Sequence, residues 1–222
     1  MSRSGGTLQY QLVHELVARR KLGRGIGMGT AIARGDGSVV NSGKWIVAKQ
    51  EIAMLWALEL LRRGADGFGI YRDPRDVAAS LMGFRSRQRE REVPFEEIAP
   101  ELKQALQWQR DWERSGRVTF YRYEDTRADW AAMLLDIAWK LGVGLEREEA
   151  AEIVELYSLD NNLARMEAQD RWLDFGDGSM LTKAHISEAR GEPGQWRDVL
   201  TDEDVAIVWQ IAGGWMEERG YG

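Results

Sequence analysis

The chain has no cysteine, which excludes disulfide bonds, thiolate metal ligands and thiol nucleophiles. Histidine is nearly as scarce. His14 and His185 are the only two among 222 residues, and without cysteine they give little basis for a zinc site. No apolar run reaches the roughly 18 residues that a membrane span requires. The best stretch, Ile52 to Leu61, is interrupted by Glu59. The first residues carry no secretory leader pattern. Positive charge is not in excess. The formal net charge is −6, which gives no support for general nucleic-acid binding, although local basic clusters remain open. The Walker pattern is also missing: no Gly-Lys-Ser/Thr stands where the first helix begins, which argues against an ordinary magnesium-nucleotide hydrolase.

What is present describes an ordinary globular protein. Hydrophobic residues make up 44% and charged residues 30%, and such a composition suits one domain, residues 1–222, with a good-sized core. The helical period of Leu8, Leu12, Val13, Leu16 and Val17 predicts a helix from Thr7 to Leu22. A glycine-rich stretch, Gly23 to Gly43, follows with short β-like runs such as Thr30 to Ala33. Strands are expected at Lys44–Lys49, Gly67–Arg72 and Val118–Tyr123, with helices at Glu51–Arg63 and from Pro74 onward. The later half reads as mostly helical: Pro94–Ser115, Asp129–Leu141, Arg147–Arg171 and Asp202–Arg219. Strands separated by helices imply an α/β fold with a parallel sheet flanked by helices and right-handed crossovers.

Two segments carry the chemistry. In Ser2-Arg-Ser-Gly-Gly-Thr7, the glycines let the backbone curl and turn its amides toward an anion, and the helix that follows adds its dipole. Arg3 contributes a fixed positive charge. In Tyr71-Arg-Asp-Pro-Arg-Asp-Val-Ala-Ala-Ser80, Arg72 closes an apolar strand at the carboxyl edge of the sheet, where open α/β sheets bind ligands. Pro74 suits the first turn of a helix, and Ser80 lies about two turns in. Together the segments describe one nucleotide held by phosphates at two places. Each has a plainer reading: a Ser/Gly-rich tail capping a helix, and a capped helix with a solvated arginine.

Side by side, these residues resemble the sulfotransferases that use 3′-phosphoadenosine 5′-phosphosulfate (PAPS). Ser2 to Thr7 is similar to that family's 5′-phosphosulfate loop, which assigns cofactor contacts to Arg3, Ser4, Gly5, Gly6 and Thr7. Arg72 and Ser80 match the Arg and Ser that hold the 3′-phosphate. Lys44-Trp-Ile-Val-Ala-Lys-Gln-Glu51 is similar to the strand ending in Lys-Thr-His. Arg122-Tyr-Glu-Asp125 resembles the segment whose Tyr, here Tyr123, lies near the adenine. Arg190-Gly-Glu-Pro-Gly-Gln-Trp196 resembles the late loop over the 3′-phosphate, which brings in Arg190 and Gly191. The matches keep their chain order from residue 2 to about 200.

The resemblance implies a P-loop-like sulfotransferase fold, PAPS as donor, no metal, and a small-molecule or carbohydrate acceptor carrying a hydroxyl or amine. It further implies a soluble, cytoplasmic enzyme with no membrane or nucleic-acid partner. Glu51 stands where the family has its catalytic His, so Glu51 is the expected base, with Lys49 and Arg3 stabilising the leaving phosphate. Arg3 replaces a loop Lys, Ala189 an Arg of the late loop, and Leu8 an aromatic that follows the loop Thr. The family also places a buried strand before its phosphate loop. Here only Met1 precedes Ser2, so either the protein begins upstream or the strand is lost, with the segment Gly25 to Val40 as a substitute to consider. Two other functions remain open: a non-catalytic nucleotide-binding or interaction module of the same fold, and a P-loop kinase.

Other features read more plainly. Arg85, Arg87, Arg89 and Arg91 suit a solvated helix end better than an acceptor patch. Trp108, Trp112, Trp130 and Trp139 suit core or groove packing, with an aromatic acceptor pocket as the sharper alternative. His14 and His185 suit structural roles, although His14 could face the acceptor.

Overall fold

The computed structural model describes residues 4–29, 43–168, 180–181, 186 and 190–222. Arg3, the run Thr30 to Ala33, His185 and Ala189 therefore lie outside the described residues.

Helix α1 (Gly6–Arg19) starts directly after Gly5, whose φ of 92° is a left-handed value that glycine adopts without strain. It buries Leu12, Val13, Leu16 and Val17, the stripe that the periodicity anticipates. Strand β1 (Gly23–Met28) follows and pairs in parallel with β2 (Trp45–Lys49). The glycines of β1 have a packing reason. A β-carbon on Gly25 would stand 2.4 Å from the Tyr10 hydroxyl and 2.8 Å from the His14 ring, so only a bare backbone lets β1 lie this close to α1.

Helix α2 (Leu55–Arg62) leads to β3 (Gly67–Tyr71), then to α3 (Pro74–Arg89) and α4 (Phe95–Arg114). Strand β4 (Val118–Arg122) pairs in parallel with β3, with Gly67 opposite Val118 and Tyr71 opposite Arg122. Tyr123 is not the last strand residue but the first of helix α5 (Tyr123–Ala128). Asp129 then caps α6 (Trp130–Lys140), its side chain accepting from Ala132 N at 2.9 Å.

The single helix expected from Arg147 to Arg171 is two: α7 (Arg147–Leu156) and α8 (Leu159–Glu167). The break has a local cause. Ser158 turns to an extended ψ of 160° and accepts from Asn161 N, which starts a new helix. A short helix α9 (Trp196–Val199) precedes α10 (Asp202–Glu217), which opens on a reciprocal capping box between Thr201 and Asp204.

The parallel strands are flanked by helices, as expected, but among the described residues they do not form one continuous sheet. The described strands form two pairs, β1–β2 and β3–β4. No described strand lies between β2 and β3, and residues of both strands, Val47 and Ile70 among them, line one cavity. Two apolar clusters support this frame. One joins α3, α4 and α10 through Val77, Leu81, Phe95, Ile98, Leu102, Val208 and Trp215. The other joins α1, β3, α6 and α7 through Leu12, Leu16, Ile70, Leu134, Ile137 and Ile153. Each large side chain so buried stabilises the fold by about 1.5–3 kcal/mol.

Candidate active site

The cavity measures about 980 Å³ and opens where the carboxyl ends of β2 and β3 meet the start of α1. Every predicted site residue among those described lines it: Ser4, Gly5, Gly6, Thr7, Lys49, Glu51, Arg72, Ser80, Tyr123, Arg190 and Gly191. Arg3 lies outside the described residues.

The loop is held from both sides. Ser4 donates its hydroxyl to the Ile70 carbonyl at 2.8 Å, which ties the loop to the end of β3. A β-carbon on Gly5 would sit 3.0 Å from Tyr123 and 3.2 Å from Trp130, so the turn passes against two aromatic rings. On the other side, the position of a β-carbon on Gly6 is 3.9 Å from Lys49 Cε. No side chain caps the start of α1, and its first residues line the cavity, so the positive end of the helix dipole lies at the site.

Arg72 is the most constrained cation here. It is 2% exposed, and its Nη2 donates to the Glu192 carbonyl at 2.9 Å and to that of Gly191 at 3.4 Å. Its guanidinium lies 4.5 Å over the Tyr123 ring. Its Nε is buried and has no hydrogen-bond partner among the described residues. A buried, unsatisfied donor on a guanidinium is costly, which marks Arg72 as a cation kept beside the cavity for its charge rather than for stability. This observation, the amide-lined glycine turn and the room in the cavity together fit a nucleotide bearing phosphates.

Asp76 supports Arg72 from the next helical turn. The residues Arg72, Asp76 and Ser80 recur every four positions, so they share one face where the chain enters α3. Asp76 Oδ2 lies 3.4 Å from Arg72 Nη2. Its two oxygens also accept from Gly194 N at 2.8 Å and Trp196 N at 3.1 Å, which fastens the late loop to α3. Burial raises the proton affinity of this carboxyl, against the opposing pull of Arg72 and the two amides. Tyr123 donates its hydroxyl to the Gly191 carbonyl at 2.8 Å, and burial pushes that hydroxyl up as well.

At the other end of the cavity, Lys49 Nζ donates to Glu51 Oε1 at 2.7 Å. Lys49 therefore stands between the loop and the Glu51 carboxylate. Trp112 donates its indole N–H to the Glu51 carbonyl at 3.2 Å, which sets its ring against this corner. Tyr10, Trp56, Phe84, Trp112 and Met180 give the surrounding wall a largely aromatic and apolar character.

Asp76, which does not line the cavity, escaped the sequence reading, and its signal was the four-residue spacing from Arg72. Arg127 escaped it too, and Trp130, grouped with the packing tryptophans, lines the cavity beside it. Arg127 pairs with Glu192 of the late loop, and Trp130 meets Tyr123 edge-on at 6.1 Å. Trp139, grouped with the packing tryptophans, is instead 77% exposed. Arg190 lines the cavity but is ion-paired with Asp160. His14 does not line it and stacks on Tyr10 at 5.8 Å. In the basic run, Arg85 pairs with Glu101, and Arg89 and Arg91 both pair with Glu97. Among the described residues, no cluster of His, Asp or Glu could hold a metal ion, and no helix is long and apolar enough to cross a membrane.

A family model for the sulfotransferase domain matches residues 69–220. That span includes Arg72, Asp76, Ser80, Tyr123 and Arg190, while the glycine turn and β2 precede it. Among curated proteins, cytosolic sulfotransferase 17 of Arabidopsis thaliana is 27% identical over 170 residues, covering 68% of this chain and 48% of that protein. The chain thus spans about half the length of the curated relative it matches. Among solved structures, mouse sulfotransferase SULT7A1 complexed with PAP aligns with a TM-score of 0.64 at 16% identity, covering 97% of this chain and 81% of that one. Retinol dehydratase in complex with androsterone and the inactive cofactor PAP aligns with a TM-score of 0.61 at 16% identity, covering 97% and 78%. The same enzyme with retinol and PAP gives 0.62 at 16% identity, covering 97% and 79%. At these identities the structural likeness speaks for the fold.

Proposed function

This chain belongs to the sulfotransferase domain family, and on that premise we propose that it transfers a sulfuryl group from PAPS to a hydroxyl of a small, largely apolar acceptor. The observation that carries the reading is the buried Arg72, whose Nε–H lacks a partner among the described residues and which lines the same cavity as the glycine turn. PAPS supplies an activated sulfuryl group on a 5′-phosphate and a second anion at the 3′ position. The turn Ser4 to Thr7 and the start of α1 would hold the 5′ end. Arg72, Ser80 and the late loop at Arg190 and Gly191 would hold the 3′-phosphate. Tyr123 and Trp130 offer aromatic surface beside the glycine turn for the base.

In the reaction the acceptor oxygen bonds to sulfur while the bond from sulfur to the 5′-phosphate oxygen breaks. The acceptor proton passes to Glu51, and the 3′,5′-bisphosphate leaves. Lys49, between the loop and Glu51, would stabilise charge growing on the leaving phosphate, and the same role is proposed for Arg3. Like phosphoryl transfer, this chemistry asks the protein mainly for positioning and fixed charge. The aromatic and apolar wall of Tyr10, Trp56, Phe84, Trp112 and Met180 favours a flat, apolar alcohol over a carbohydrate. Androsterone and retinol, with which the structural neighbour retinol dehydratase is complexed, are alcohols of that kind.

A thermal-shift series with adenosine 3′,5′-bisphosphate, ATP and buffer tests the donor. The reading requires a shift with the bisphosphate that ATP does not match. Labelled PAPS with a panel of apolar alcohols, phenols and sugars then tests turnover. Binding of the bisphosphate with no transfer to any acceptor would favour a non-catalytic module of the same fold. A shift with ATP alone would sink the donor assignment.

A further inference from the structure

We propose that Asp76 is a positioning residue that locks the late loop and the Arg72 guanidinium into one arrangement, so that recognition of the donor's 3′-phosphate depends on a carboxylate that does not itself line the cavity. The inference rests on the PAPS reading above and extends it to a residue that reading does not use. Asp76 is 1% exposed, in a region dense with hydrogen bonds. Its three contacts reach two separate parts of the chain. Arg72 is four residues away, whereas Gly194 and Trp196 lie 118 and 120 residues further on.

The arrangement has a division of labour. The carboxyl end of the loop is fixed: the backbone N–H groups of Gly194 and Trp196 bond to Asp76, and the Trp196 ring lies 4.4 Å from the Arg75 guanidinium. The tip is held by groups that line the cavity. Arg72 and Tyr123 both donate to the Gly191 carbonyl, and Arg72 also donates to that of Glu192. These carbonyl oxygens occupy a donor face of Arg72 that a phosphate oxygen would take. For the tip to yield Arg72 to a phosphate while the loop stays over the site, the other end must be anchored. Asp76 is that anchor, and its Oδ2 at the same time lies 3.4 Å from the Arg72 Nη2 that donates to the loop carbonyls.

Retention of this carboxylate is informative. Burial opposes its ionised form, so a neutral side chain would be the easier choice for stability alone. A charge kept under those conditions has two amides and a guanidinium to organise. Asparagine can accept through one oxygen only, and its amide group would present a donor where the site needs an acceptor.

The test uses the full chain and its Asp76→Asn variant, with adenosine 3′,5′-bisphosphate and adenosine 5′-phosphate as probes in calorimetry. The parent is expected to prefer the bisphosphate. Asp76→Asn is expected to shrink that preference by tenfold or more while leaving 5′-phosphate affinity within about twofold, and combining it with Arg72→Ala should add little to Arg72→Ala alone. Hydrogen exchange at the Gly194 and Trp196 amides should accelerate in the variant, with the α6 amides unchanged. A variant that keeps the parent's preference overturns the proposal. So does one that loses affinity for both probes equally, which a purely structural role would produce. If Asp76→Asn does not fold, Asp76→Glu carries the same test, because one methylene displaces both oxygens. There too, an unchanged preference is decisive against the proposal. A parent with no preference for the bisphosphate overturns the PAPS reading itself, and this inference with it.

Discussion

Arg72 and Glu51 line the same cavity from just past the ends of β3 and β2, and they are asked for different things. Arg72 recognises charge, so its loss should appear in binding. Arg72→Ala removes charge-assisted bonds worth about 1.5–3 kcal/mol each. Calorimetry should therefore show adenosine 3′,5′-bisphosphate binding weakened by at least tenfold, with adenosine 5′-phosphate little affected. Equal binding by variant and parent would remove Arg72 from the 3′-phosphate site. Glu51 is asked to accept a proton, so its loss should appear in turnover. Glu51→Gln keeps the side-chain shape and should lower the transfer rate by roughly 10²–10⁴-fold with bisphosphate affinity preserved. An undiminished rate would leave the reaction without a base at this position. Asp76 makes a third residue-scale prediction, about pH. Its folded-state proton affinity lies above that of an exposed aspartate. The folded chain therefore binds this proton more tightly than the unfolded chain. Stability from this group is greatest below the ordinary aspartate range and declines as pH rises through the folded-state value. Urea midpoints of parent and Asp76→Asn, compared from about pH 4 to about pH 8, should differ in slope, with the decline smaller in the variant.

Among the elements, the glycine turn and the cap of α10 make a useful contrast. Gly5 holds a φ of 92°, and a β-carbon there would press on Tyr123 and Trp130 at 3.0–3.2 Å. Gly5→Ala forces a left-handed backbone on an ordinary residue, a strain of about 1–3 kcal/mol, and displaces both rings beside the turn. It should weaken bisphosphate binding and lower the melting temperature together. Thr201→Ala breaks the capping box of α10, which lies in the other apolar cluster. It should cost about 1 kcal/mol of stability with bisphosphate affinity unchanged. If Thr201→Ala disturbed binding as much as Gly5→Ala, the turn would have no special claim on the ligand. The division of the expected long helix into α7 and α8 belongs to this scale too. Apolar periodicity runs through Tyr157 and Ser158, so sequence pattern alone carries a helix across them. Ser158 accepting from Asn161 N, with Asn162 donating to the Tyr157 carbonyl at 2.9 Å, makes the corner instead.

For the molecule as a whole, the separation of β1–β2 from β3–β4 is the feature with the largest consequence. Parallel strands gain stability from neighbours on both sides and from burial of both faces. The cavity between β2 and β3 is lined by Val13 and Val17 of α1, by Leu60 and Leu61 of α2, and by Phe68 of β3. An extended apolar peptide of about 5–6 residues, supplied in trans, would have β2 and β3 to pair with in this space. Each large side chain buried there would contribute about 1.5–3 kcal/mol. The peptide should raise the melting temperature by several degrees. A polar peptide of equal length serves as the control. If apolar and polar peptides behave alike, the space between the strand pairs is not a place for a strand.

Much of this was legible in local chemistry. The stripe Leu12, Leu16 and Val17 specifies an amphipathic helix wherever it is placed. Gly5 and Gly6 permit a tight turn, and Asp73 with Pro74 starts α3, because propensity, capping and turn geometry act over a few residues. The candidate site residues could be named one by one for the same reason: each belongs to a short motif. Their convergence could not be read that way. Lys49 and Glu51 come together with the residue 5 turn, and Asp76 with Gly194, only through the crossover of parallel strands and the packing of α1 and α3 around them. The roles of Trp112, Trp130 and Asp76 follow from contacts across 61, 125 and 118 positions. The division of the described strands into two pairs, too, is a property of pairing. A strand's own residues specify that it will be extended and which faces are apolar, but which edge it meets is decided by the rest of the fold.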